Sequence, residues 1–117
     1  MGARRRGIFE PSEDQITAAL VDHWRTFGVP GSLVASLPNK RAFGQPGLTP
    51  GLPDLLVLSM RLGDKAGFIE LKRERGGRLS DAQISVGRLM TVLGVPYAVC
   101  RGRDEPIVQL RTWGAIQ

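Results

Sequence analysis

Cysteine and histidine are almost missing from this chain. Cys100 and His23 each occur once in 117 residues, so no internal disulfide is available and nitrogen and sulfur ligands alone cannot build a tetrahedral zinc site. Any metal held here is held by oxygen. Aromatic residues make up 6%, too few for a platform on which single-stranded bases stack. No run approaches the roughly 20 apolar residues that span a bilayer. The basic start, Met1 to Gly7, leads into Glu10 and Asp14 rather than into the apolar stretch of a signal peptide. These absences predict a cytoplasmic protein with no membrane partner.

What the chain has in excess is positive charge. Sixteen basic residues face eleven acidic ones, for a net charge of +5 and a pI near 10.3, and thirteen of the sixteen are arginine. The planar guanidinium matches phosphate in a two-pronged way that an ammonium does not. The balance therefore points to a nucleic-acid backbone, duplex or branched given the scarce aromatics; a solubilising surface is the plainer alternative. With 42% apolar residues the chain fits a modest single core. The expected organisation is a disordered basic tail over residues 1–11 and one domain over 12–117.

Ser12 and Gln15 form a capping box, after which Ile16, Leu20 and Phe27 recur at helical spacing until Gly28 and Pro30. A helix is expected over Ser12–Phe27. Ser32–Leu37 reads as a strand, followed by a glycine- and proline-rich loop carrying Lys40 and Arg41. Asp54–Met60 and Ala66–Lys72 read as an antiparallel hairpin. "RERGGR" reads as a flexible basic loop, and Ser80 with Gln83 forms a second capping box heading a helix to about Leu93. "VPYAVC" is a compact strand, Ile107–Leu110 a weaker one, and Arg111–Gln117 a short tail. The result is an α/β fold in the order α-β-β-β-α-β, a mixed central sheet flanked by helices.

The charged residues inside "GFIELKRER" carry the chemistry. Glu70 and Lys72 are two apart on a strand and leave the same face. If the hairpin turns near Gly63 and Asp64, Asp54 meets Glu70 diagonally, with alpha carbons roughly 7–8 Å apart, a spacing that suits two carboxylates sharing one hard cation. A lone Glu-x-Lys on a strand commonly marks a solvated face. Here, however, Asp54 precedes "LLVL" and Glu70 lies within "FIEL", where an unpaired charge costs several kcal/mol and a bound cation offsets that cost.

Pro53-Asp54 followed by Glu70-Leu71-Lys72 resembles the PD-(D/E)XK nuclease superfamily, with its restriction-endonuclease-like core. The fuller pattern is an early helical acid, "GLPDLLVL", "FIELKRERGGRLSDAQ" and "GVPYAVC", spanning about Ser12 to Cys100. It is similar to the VRR-Nuc branch, the virus-type replication-repair nucleases. The resemblance implies that Asp54, Glu70 and the carbonyl of Leu71 ligate Mg2+ or Mn2+, and that Lys72 activates water and steadies the developing charge. By the same resemblance Glu13 and Gln83 are the family's helical acid and glutamine. Both also read as ordinary caps, a first-turn acid and the third residue of a capping box. Each shares a helical face with apolar residues, Glu13 with Ile16 and Leu20, Gln83 with Val86 and Met90, and so points inward.

Glu10 and Asp14 are fallback acids if the helix register shifts, and His23 reads as packing or surface. Arg73, Arg75, Arg78, Lys40, Arg41, Arg101 and Arg103 are candidates to hold the DNA backbone. No base-reading motif is visible, so recognition rests on shape and charge. The resemblance further implies cleavage leaving a 5'-phosphate and a 3'-hydroxyl, and a homodimer of the Holliday-junction-resolving type in a bacterial or phage-infected cell. Leu33, Val34 and Trp113 are the expected interface residues. A non-catalytic DNA-binding module and a viral structural protein are the competing classes.

Overall fold

The computed structural model describes residues 10–38 and 46–117. Residues 1–9 of the expected tail over 1–11, and the loop positions Lys40 and Arg41, lie outside the described residues. Helix α1 (Glu13–Phe27) opens on the expected capping box, with the Gln15 amide donating to Ser12 Oγ at 3.2 Å and the Ser12 amide donating to Gln15 Oε1 at 2.9 Å. Strands β1 (Leu33–Ser36), β2 (Leu55–Leu58) and β3 (Gly67–Lys72) follow, then α2 (Asp81–Val92), β4 (Tyr97–Arg101) and a third helix, α3 (Asp104–Thr112). The sheet order is β1-β2-β3-β4, antiparallel except for the parallel β3–β4 pair. No helix among the described residues is long and apolar enough to cross a membrane.

Strand alternation sorts the sheet into two faces. Val34, Leu55, Val57, Ile69, Leu71 and Cys100 form one, buried against Ile16 and Leu20 of α1 and Leu110 of α3. The other carries Phe68, Glu70, Lys72 and Tyr97, and α2 lies over it. Gly87 makes that approach possible: a Cβ there would sit 2.8 Å from the Tyr97 ring.

Three expectations are corrected. Ile107–Leu110 is not a strand but the middle of α3, with Asp104 and Glu105 in its first turn and Leu110 fully buried. Pro106 within that first turn is the signal that four apolar-rich residues obscured. Arg111 and Thr112 of the expected short tail instead close α3, and the rest is packed: Ala115 and Ile116 are buried and the Ala115 carbonyl accepts from the Val29 amide at 2.9 Å. Val34 and Trp113 belong to the core rather than to a free surface: Val34 is buried, and Trp113 packs so closely on Gly67 that a Cβ there would lie 2.6 Å from its ring. Leu33 is exposed.

Candidate active site

The β2–β3 register pairs Leu55 with Ile69. Asp54, one residue before β2, donates its amide to the Ile69 carbonyl at 3.0 Å, and its carboxylate lies with that of Glu70. The 3-10 turn at Met60–Leu62 reverses the chain earlier than the expected turn at Gly63 and Asp64. Since Leu55 and Ile69 face the core, Asp54 and Glu70 both face the opposite side, towards α2.

Glu13, from the first turn of α1, joins them. One carboxylate oxygen from each of Glu13, Asp54 and Glu70 lies within 4.8 Å of the other two. Lys72 Nζ sits 3.8 Å from Glu70 Oε2 and 4.0 Å from Glu13 Oε1. Gln83 links the groups: its Oε1 accepts from Lys72 Nζ at 3.0 Å and from the Ser80 amide at 2.8 Å, while its Nε2 donates to Glu70 Oε2 at 3.0 Å. The two readings of Gln83, helix cap and site residue, thus coexist in one side chain.

Asp54 Oδ2 accepts from the Leu71 amide at 2.7 Å, and the Ile69 carbonyl accepts from the Asp54 amide. Phe68 and Lys72 direct their backbone groups to the β4 side. By strand alternation Leu71 directs its own towards the β2 side, where the carboxylates gather. Glu13, Asp54, Arg73 and Gln83 line a cleft of about 690 Å³.

Glu70 is 1% exposed, and its Oε1 has no hydrogen-bond partner among the described residues. Burial, then the neighbouring Asp54 carboxylate, push its carboxyl from 4.5 up to about 9; Lys72 opposes the shift and Glu13 adds to it. Three hard oxygen donors and one orphaned buried lone pair fit an oxygen-seeking divalent cation.

The raised value fixes a pH dependence. A carboxyl with a higher pKa when folded binds its proton more tightly in the native state, so its stabilising contribution is complete below 4.5 and lost as pH rises to about 9. The melting temperature of metal-free protein is expected to fall between pH 5 and 9, and Glu70→Gln to flatten that fall. A divalent ion needs the deprotonated carboxylate, so its apparent affinity should rise with pH over the same range. Thermal melts at several pH values, with and without Mn2+, check both; a slope unchanged in Glu70→Gln would assign the titration elsewhere.

The basic candidates divide. Arg73 lines the cleft, and Arg75 and Arg78 are exposed on the same loop. Arg101 is half-buried and donates from Nη1 to the Gly77 carbonyl at 2.7 Å. Arg103 lines a separate cavity between α1 and α3, with His23 and Asp104. Asp14 is exposed at the rim of the acidic cleft, whereas Glu10 Oε1 accepts from the Arg75 amide at 3.0 Å. No local sequence signal announces that last contact, made across 65 positions.

The mixed sheet gathers Glu13, Asp54, Glu70 and Lys72 at one strand end, an arrangement able to hold a divalent cation. A family model, the VRR-NUC domain, matches residues 12–104, and the chain belongs to that family. A solved structure described as a VRR_NUC domain protein superposes with a TM-score of 0.71 at 18% identity, covering 92% of this chain and 98% of its own. Another, described as a VRR_NUC domain, gives 0.59 at 21% identity, covering 86% and 94%. No curated protein matches.

Proposed function

We propose that the protein is a divalent-metal-dependent deoxyribonuclease acting on branched DNA. The observation that carries this reading is the burial of Asp54 and Glu70, 6% and 1% exposed, beside Glu13 and Lys72 in a chain of net charge +5. A simple phosphate-binding surface gains nothing from buried carboxylates, whereas a cation between them and the backbone gives both a partner.

Asp54, Glu70 and the Leu71 carbonyl would hold Mg2+ or Mn2+, with Glu13 at the third corner. When bound, the ion supplies Lewis-acid polarisation of the scissile phosphate. Lys72, fixed by Gln83 and 5% exposed, supplies an ammonium to orient the attacking water and offset charge developing on phosphorus. Gln83 holds Glu70 and Lys72 in register, and Arg73 meets the backbone beside the cleft.

Symmetric cutting of a four-way junction requires two such sites in one assembly. Leu33 and Leu58, register partners on β1 and β2, are 38% and 40% exposed on the sheet face away from the core and favour an interface there. Labelled single strands, duplexes, flaps and four-way junctions, incubated with Mg2+, Mn2+ or a chelator, test the reading alongside light scattering. Metal-dependent cutting of junctions by a species of about twice 12.7 kDa is expected. A monomer that cuts flaps but spares junctions would overturn the junction assignment and leave the nuclease in place. Cleavage that survives the chelator would overturn the metal dependence.

A further inference from the structure

The loop between β3 and α2 contains Gly76 and Gly77, carries three arginines, and reads from sequence as flexible. In the structure it is tied at two points. The Glu10 carboxylate, arriving from just before α1, accepts from the Arg75 amide at 3.0 Å, and the Arg101 guanidinium, arriving from β4, donates to the Gly77 carbonyl at 2.7 Å. The loop also presses on the site itself. A Cβ at Gly77 would lie 3.3 Å from Lys72 Cβ, and the loop ends at Ser80, whose amide is bound by Gln83.

Glu10 is a half-buried acid beside a loop that carries Arg73, Arg75 and Arg78 along with the exposed Glu74. For a surface that meets phosphate, an acid there is a liability by charge alone. Its acceptor geometry towards a main-chain amide gives it a different use. We propose that Glu10 is a positioning residue for substrate binding: its carboxylate anchors the Arg75 amide and so holds Arg73, Arg75 and Arg78 in the arrangement that receives the DNA backbone. This rests on the nuclease reading above. Ordering the loop before the substrate arrives removes a conformational cost from binding.

The sign of the effect separates the proposal from plain electrostatics. Removing a negative charge near phosphate tightens binding if charge is all that matters, whereas releasing the loop weakens it. Glu10→Ala is expected to weaken metal-free DNA binding about tenfold, the scale of one lost charge-assisted hydrogen bond. In cleavage, KM should rise with kcat changed much less. Glu10→Gln, which keeps an oxygen acceptor, is expected to bind at least as tightly as the parent. Limited trypsin digestion with mass spectrometry gives a readout independent of DNA, in which Arg73, Arg75 and Arg78 become cut faster in Glu10→Ala and not in Glu10→Gln. Binding in Glu10→Ala that equals or exceeds the parent's, or a loop no more sensitive to trypsin, overturns the proposal. A parent protein that neither binds nor cuts DNA overturns the nuclease reading, and with it the loop's purpose, while the digestion still decides whether Glu10 orders the loop.

Discussion

Alanine in place of Asp54 or Glu70 is expected to lower the cleavage rate by about a thousandfold or more, the scale of losing Lewis-acid stabilisation worth several kcal/mol, while DNA binding survives. Each change removes a cation ligand and also a negative charge close to phosphate, so binding should tighten at low salt. The two substitutions differ in what else they break. Asp54→Ala strips the Leu71 amide of its acceptor, at a cost of about 1–3 kcal/mol for a buried donor left unmade. Asp54→Asn keeps an oxygen for that amide and isolates the loss of charge. Glu70→Ala frees Gln83 Nε2 and leaves Lys72 with Glu13 and the Gln83 carbonyl as partners. Gel shifts, Mn2+ titration and cleavage on the same samples separate these effects, and nuclease activity persisting in Asp54→Asn and Asp54→Ala alike would remove that residue from the site.

Lys72→Ala is expected to slow cleavage by about two to three orders of magnitude, comparable to the loss of one preorganised donor at a developing oxyanion. Cation affinity is kept or raised, because a positive charge 3.8 Å from Glu70 Oε2 disappears. Lys72→Arg restores little. The ammonium is buried and held at 3.0 Å from Gln83 Oε1, a space sized for a compact point charge rather than a planar fork. Single-turnover rates at saturating Mn2+ measure the effect. Near-parental rates in Lys72→Ala would mean that Arg73, the next residue and a lining residue of the cleft, takes over.

The helices with capping boxes were legible because Ser12 with Gln15 and Ser80 with Gln83 act within one turn. The acid pair was legible because strand alternation places Glu70 and Lys72 together, and apolar neighbours on both sides of Asp54 and Glu70 mark a buried charge. Register was misjudged slightly, since a short 3-10 turn moves the reversal point without changing composition. The α3 helix was misread because Ile107 to Leu110 is too short for either period to declare itself, and Leu110 is buried by tertiary packing. Arg101 and Arg103 look alike as basic residues of one stretch. One is a strut for a loop and the other lines a different cavity, and both facts depend on partners 24 positions away or more.

Gln83 caps α2 and bonds both Glu70 and Lys72. Starting that helix and assembling the chemistry are therefore one local event rather than two. The first turn of a helix is where opening is least costly, and such fraying proceeds far below the free energy of global unfolding. The protein can thus lose its catalytic arrangement while its sheet and core remain intact. On the nuclease reading, loss of activity on heating is therefore expected to precede loss of the core, and a ligand that fastens that turn to delay it.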